Sequence, residues 1–313
     1  RAYAVRATGA PRDMAQRLVL AVTLIILWVL PARADSAFDV LRAYAHHGAG
    51  ERLNTPEDEI AWLKKNQLVH GELDNFPTAA VILYRVDVEA YLKALGFAGS
   101  YTSFAYGFTD PVVVHVVRKP GMAPFAVARG LPGAGGVTTI AAELHAMGAD
   151  TIVHVGTAGL LSPAVPYGQL IISDGSYKDG AAFLLDDDPA RQVARPAPDL
   201  TDRIARVIAD DKLAHVRALG FTMPIYYYQP AAILRGLLAV TGPDRPVFVE
   251  MEQGSLFALC RVIGVRAASV VVASDRLENR GGTLAQGFWD GDLDGLERQA
   301  FAEVIRAIAP ARP

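Results

Sequence analysis

Short apolar runs alternate with helical spacings along most of the chain. Thr78 to Tyr84 (TAAVILY) reads as a buried strand, as does Val247 to Val249. Pro111 to Val117, Phe125 to Ala128, Asp150 to Val155, Gly168 to Ser173, Val216 to Phe221 and Val265 to Ala273 read as further strands. Val86 to Leu95 has helical spacing closed by Gly96, and a helix runs from the glycines at 133–136 through Met147 to a stop at Gly148. Leu200 to Leu213 is amphipathic, and Leu293 to Ala309 is a C-terminal helix. Lys119-Pro-Gly121 is a turn between two strands, and residues 186–198 form a polar excursion containing proline. This alternation predicts an α/β fold: a single domain over 76–313 with a central mixed, mainly parallel sheet flanked by helices. No repeat with a period of 20–50 residues is present.

The first 75 residues read differently. Leu18 to Leu30 is an apolar run of 13 residues, short of the about 20 that span a bilayer. Arg12 and Arg17 precede it and Ala32-Arg-Ala34 follows as a small-x-small site. Residues 1–34 are therefore expected to be a secretory signal cleaved after Ala34, with Met14 as an alternative start. An uncleaved membrane anchor is the competing reading. The expected location is exported, periplasmic or secreted. Residues 35–75 form a helical lead-in, Ala37 to Tyr44 and Glu57 to Leu68, with Thr55 as N-cap before Pro56.

Composition narrows the classes. The 313 residues are 51% apolar and 20% charged, enough to bury a sizeable core. A net charge of −3 offers no basic footprint for nucleic acid. Seven histidines and one cysteine lack zinc-ligand spacing, so no metal is expected. Lone Cys260 sits in a helical pattern and has no partner for an intramolecular disulfide.

Four features carry candidate chemistry. The Val247 run leads straight into Glu250, Met251 and Glu252 and then a helix, which places two carboxylates at the carboxyl end of a strand. They could serve a ligand or cap the helix. A carboxylate can accept from both hydroxyls of a ribose, and a thioether suits a sugar face. Gly133-Ala-Gly-Gly136 precedes a helix, and Gly156-Thr-Ala-Gly159 is read as a tight turn after a strand. Such turns let backbone N–H groups approach an anion, or simply let elements pack. The first lacks the dinucleotide fingerprint spacing. Ser274-Asp275 ends a buried strand, where the aspartate is either a general acid or an N-cap. Tyr226 to Gln229 offers aromatic faces and an amide for a heterocyclic base, or ordinary packing.

From Thr78 to Pro310 the sequence resembles the nucleoside phosphorylase superfamily: purine and uridine phosphorylases with methylthioadenosine/adenosylhomocysteine nucleosidases. Gly133 to Ala158, Val249-Glu-Met-Glu252 and Val270 to Asp275 carry the resemblance by their order and spacing. It implies cleavage of a nucleoside's N-glycosidic bond, a purine being favoured. By resemblance Glu252 binds the ribose hydroxyls, Met251 lies along the sugar with Glu250 beside them, and Asp275 protonates the departing base. Gly156, Thr157, Ala158 and Gly159, with Ser274 and Gln229, would line the base and anion side. A homo-oligomer, a dimer or larger, is implied, with phosphate as a co-substrate and no other cofactor. Nucleic acid, and a membrane after signal cleavage, are not expected partners.

The resemblance departs where the nucleophile would sit. His154 stands where phosphorolytic members have an arginine, and Leu83-Tyr-Arg-Val-Asp87 stands where they have G-x-P-x-R. Arg85, Arg129 or a protonated His154 are the candidate substitutes. Nucleosidases use a glutamate there to activate water, and this chain offers Asp87 or Glu89. Phosphorolysis and hydrolysis both remain open, as does a non-catalytic nucleoside-binding or storage protein on the same fold.

Overall fold

A computed structural model describes residues 55–66, 73–85, 87–106, 112–186, 188, 190–227, 229–281 and 283–311, which fall in one compact unit. The signal segment and the helix expected over Ala37 to Tyr44 lie outside the described residues. Among the described residues no helix is long and apolar enough to cross a membrane. The first helix, α1 (Pro56–Lys65), starts at Thr55, whose hydroxyl accepts from the Asp58 N–H at 3.2 Å, with Pro56 behind the cap as expected.

Among the described residues eleven strands follow: β1 (Ala79–Leu83), β2 (Tyr101–Tyr106), β3 (Val112–Val117), β4 (Phe125–Arg129), β5 (Thr151–Leu160), β6 (Leu170–Tyr177), β7 (Val193–Ala194), β8 (His215–Thr222), β9 (Phe248–Glu250), β10 (Arg266–Arg280) and β11 (Thr283–Phe288). The helices among them are α2 (Val88–Ala94), α3 (Gly133–Met147), α4 (Gly180–Leu185), α5 (Pro198–Asp210), α6 (Ala231–Ala239), α7 (Gln253–Ile263) and α8 (Leu293–Ile308). The sheet is mixed. Parallel pairings join β4, β1, β5 and β10 at its centre, and antiparallel ones add β2 and β3 at one margin and β11 at the other.

β1 shows why its sequence is apolar throughout. Its residues alternate between two cores: Ala80 and Ile82 face one, Ala79, Val81 and Leu83 the other. The first core is closed by α1, α3 and α7, the second by α2, α5 and α8. α5 contributes Leu200, Ile204 and Ile208, one turn apart on one face.

Part of the sheet closes on itself. β5 pairs with β10, β10 with β6, β6 with β8, β8 with β9, and β9 returns to β5. Leu160, Ile171, Ala218, Phe248 and Val271, one from each strand, pack together as a separate small core. Closure leaves these five strands no free edge along that ring.

Two strand ends differ from expectation. β5 does not turn at Gly156 to Gly159 but stays extended through Leu160, because β10 pairs alongside it from Arg266 to Arg276. β10 likewise does not stop at Ser274-Asp275. It shifts register between Ala273 and Asp275 and continues into a hairpin with β11. The excursion at 186–198 contains β7, and α4, α6, β2 and β11 were not anticipated.

Candidate active site

The C-terminal ends of β5 and β9 and the bulged stretch of β10 from Ser274 to Leu277 converge on a cavity of about 230 Å³. Of the anticipated residues, His154, Gly156, Thr157, Ala158, Gly159, Gln229, Glu250, Met251, Glu252, Ser274 and Asp275 line it, and Arg85, Asp87, Glu89 and Arg129 do not.

Glu250 and Glu252 divide the two readings of their stretch between them. Glu250 is the cap. Its Oε2 accepts from the N–H groups of Glu252 and Gln253, both at 2.6 Å, satisfying two donors at the start of α7. Its Oε1 accepts from the hydroxyls of Thr222 at 2.5 Å and Ser176 at 3.0 Å. Four donors from three segments saturate it. Burial raises its pKa, opposed by those hydrogen bonds.

Glu252 is less committed. Its Oε1 accepts from the Gly133 N–H at 2.7 Å and its Oε2 from the Met251 N–H at 3.2 Å. Burial, and then the neighbouring Glu250, push its pKa up to about 8. Gly133 sits at φ +85°, a conformation that favours glycine, and its N–H is spent on Glu252 rather than left for an anion. Gly133 therefore serves the carboxylate, while Gly136 lies close against Leu131, where a Cβ would not fit.

Asp275 stands at the other wall. Ser274 Oγ donates to its Oδ1 at 2.8 Å, and Gln286 Nε2 donates to its Oδ2 at 2.6 Å. Asp275 is not an N-cap, since it lies inside β10. Gly159 lies against it: a Cβ there would come within 2.9 Å of Asp275 Oδ2. Thr157 exposes its side chain to the cavity from within β5. Gln229 donates its amide to the Ile225 carbonyl at 3.0 Å, in the loop that also brings Tyr226 to the rim.

His154 does not supply the positive charge of an arginine. It is buried beside Ser269, with Nδ1 and the serine hydroxyl 2.7 Å apart, and burial lowers its pKa to about 3. It is neutral at physiological pH. Arg85 is turned away, paired with the buried Glu297 of α8 and 3.9 Å from Asp294. It lines a neighbouring cavity of about 330 Å³ together with Asp87. Asp87 caps α2, accepting from the Ala90 N–H at 2.8 Å. Arg129 and Glu89 also lie outside the first cavity, and among the described residues no lysine or arginine lines it. No group of three or more His, Cys, Asp or Glu among the described residues could hold a metal.

Tyr84, Pro132, Val249, Leu277 and Gln286 line the cavity without having been expected as site residues, and Tyr226 joins them. Tyr84 packs edge-on against His154 at 5.0 Å, and burial and the two glutamates raise its phenol pKa. Tyr226 belonged to the aromatic run already noted. Gln286 carried no signal, because its contact depends on a hairpin whose second strand is largely polar or small.

Comparison with known proteins gives a consistent picture. Residues 97–309 match the family model described as the phosphorylase superfamily. A uridine phosphorylase of Thermococcus kodakarensis is 30% identical over 171 residues, covering 49% of this chain and 60% of that protein. The chain thus spans 60% of that relative's length, less than two thirds of it. Among solved structures, a purine nucleoside phosphorylase from Toxoplasma gondii in complex with immucillin-H superposes with a TM-score of 0.60 at 13% identity, over 75% of this chain and 91% of that one. A uridine phosphorylase from Vibrio fischeri ES114 gives 0.59 at 13% identity, over 75% and 93%. At these identities the superpositions report the fold.

Proposed function

The chain belongs to the phosphorylase superfamily, and on that premise we propose that it cleaves the N-glycosidic bond of a nucleoside, a purine nucleoside in the first instance. One observation carries this reading. Glu252, at the junction of β9 and α7, and Asp275, within β10, face one cavity beside the Gly156 to Gly159 segment. Glu252 and Met251 hold the ribose, with Glu250 fixing the backbone beneath them. Asp275 gives a proton to the base as the electron pair of the C1′–N bond moves onto it. Gly156 to Gly159, Ser274 and Gln229 form the base side. Most of the acceleration then comes from orientation and from the charge placed around an oxocarbenium-like sugar.

Phosphorolysis, with phosphate oxygen as the nucleophile, is the reading that family membership supports. A specific observation favours hydrolysis as a second reading. An incoming phosphate would find no cationic side chain among the described residues of the cavity. Water carries no charge to compensate, and the proton it sheds restores Asp275 over the cycle. The segment at 18–34 supports an exported protein, and membership of the family supports a homo-oligomer.

The test is release of free base from adenosine, inosine, guanosine and uridine, with and without phosphate. Release that requires phosphate establishes phosphorolysis, and equal release without it establishes hydrolysis. Binding without release from any nucleoside would overturn the proposal in favour of a binding or storage protein.

A further inference from the structure

Asp275 owes its place to a bulge and a hairpin. The register of β10 against β5 shifts between Ala273 and Asp275, bringing the carboxylate against Gly159. Beyond it, β11 pairs antiparallel with β10, setting Phe288 opposite Asp275 and Gln286 opposite Leu277. Gln286 is thus the diagonal neighbour of Asp275, a separation that a long side chain reaches. Its amide donates to Asp275 Oδ2 at 2.6 Å, and it lines the same cavity. Ser274 donates to the other oxygen, so each carboxylate oxygen has its own donor.

We propose that Gln286 is a positioning residue for proton transfer to the leaving base, holding Asp275 in place and favouring the carboxylate that remains once the proton has gone. The inference rests on the reading of Asp275 as the group that protonates the base. A hydrogen bond to an ionised carboxylate is stronger than one to the neutral acid. The Gln286 contact therefore tightens as the proton leaves, and an interaction stronger in the transition state than in the ground state raises turnover. Atoms and charge balance simply. The proton passes from Asp275 to a ring nitrogen, the C1′–N electron pair goes to the base, the oxygen of water or hydrogen phosphate bonds to C1′, the proton it sheds returns to Asp275, and Gln286 stays neutral throughout.

The contact predicts dependence on the leaving group. Inosine needs its base protonated, whereas p-nitrophenyl ribofuranoside releases a phenolate that departs without a proton. The full chain and its Gln286→Met and Gln286→Glu variants are assayed on both, with melting temperatures measured in parallel. On inosine, kcat should fall on the order of tenfold in Gln286→Met. It should fall further in Gln286→Glu, where a second carboxylate faces Asp275. KM for inosine, turnover of the nitrophenyl substrate and the melting temperature should be little changed. Wild-type turnover of inosine in both variants, equal losses on both substrates, or a collapse in melting temperature would overturn the inference. A wild-type protein that releases no base from any nucleoside would instead remove the reading of Asp275 on which it stands.

Discussion

The carboxylate of Glu250 accepts a 2.6 Å hydrogen bond from the backbone N–H of Glu252, so one glutamate of the pair is the support on which the other stands. Removing either has a different consequence. Glu250→Ala strips partners from two backbone N–H groups and two buried hydroxyls, and should destabilise the protein by about 3 kcal/mol. Glu252→Ala leaves the Gly133 and Met251 N–H groups without acceptors while removing a carboxyl that burial disfavours as an ion, and should cost only about 1 kcal/mol. That variant should nonetheless lose nucleoside binding. Urea denaturation with calorimetry on the folded variants checks both, and equal stability losses would refute the division of roles.

Glu252 also predicts a pH dependence. Its folded pKa of about 8 lies above the ordinary 4.5, so between those values the folded state holds a proton the unfolded state has lost. Its contribution is fully present below pH 4.5 and is lost as pH rises toward 8, at up to about 1.4 kcal/mol per pH unit. Glu143, Glu297 and Glu303, each raised to about 7 mainly by burial, add slopes of the same sign. The Glu252 share is isolated by difference. The stability gap between wild type and Glu252→Gln should shift in favour of the variant as pH rises through this window. A constant gap would mean that Glu252 is not held protonated.

His154 has the opposite sign. Its folded pKa of about 3 lies below the ordinary 6.5, so the stability tied to the neutral ring is present above pH 6.5 and lost as pH falls toward 3. Imidazole nitrogen chemical shifts should report a neutral ring at pH 5, where a free histidine is charged. A charged ring at that pH would restore it as a candidate for holding phosphate.

Gly159→Ala tests the seating of Asp275 without touching it. The new Cβ would stand 2.9 Å from Asp275 Oδ2 and 3.3 Å from Val249 Cγ1, so the carboxylate must move. Turnover of purine nucleosides should drop about a hundredfold, comparable to the cost of misplacing a reacting group by an ångström. Asp275→Ala should abolish that turnover while leaving nucleoside binding, measured by calorimetry, largely intact. Unimpaired turnover in Asp275→Ala would take the aspartate out of the mechanism.

Much of this architecture was legible along the chain because buried strands are written as apolar runs. Val247 to Val249 ends in charges, and Val270 to Ala273 ends in Ser274-Asp275, so both walls of the cavity could be read locally. What could not be read depends on distant partners. Gly156-Thr-Ala-Gly159 has the composition of a turn, yet β10 beside it holds it extended. Arg85 lies close in sequence to the site, yet Glu297 of the C-terminal helix draws it away. Glu250 is saturated by Ser176 and Thr222, which its neighbours in the sequence do not foretell. Gln286 came into view only with the β10–β11 hairpin.

The ring formed by β5, β10, β6, β8 and β9 bears on how a protein of this kind can diverge. The floor of the cavity comes from three of those strands, so its dimensions follow from hydrogen-bond registers locked all the way round. Moving one floor residue means slipping a strand against two neighbours at once. The rim is built otherwise, from the loop bearing Tyr226 and Gln229 and from the hairpin bearing Leu277 and Gln286. New substrate ranges would arise there, by lengthening or recolouring segments outside the ring, while the bond being broken stays the same.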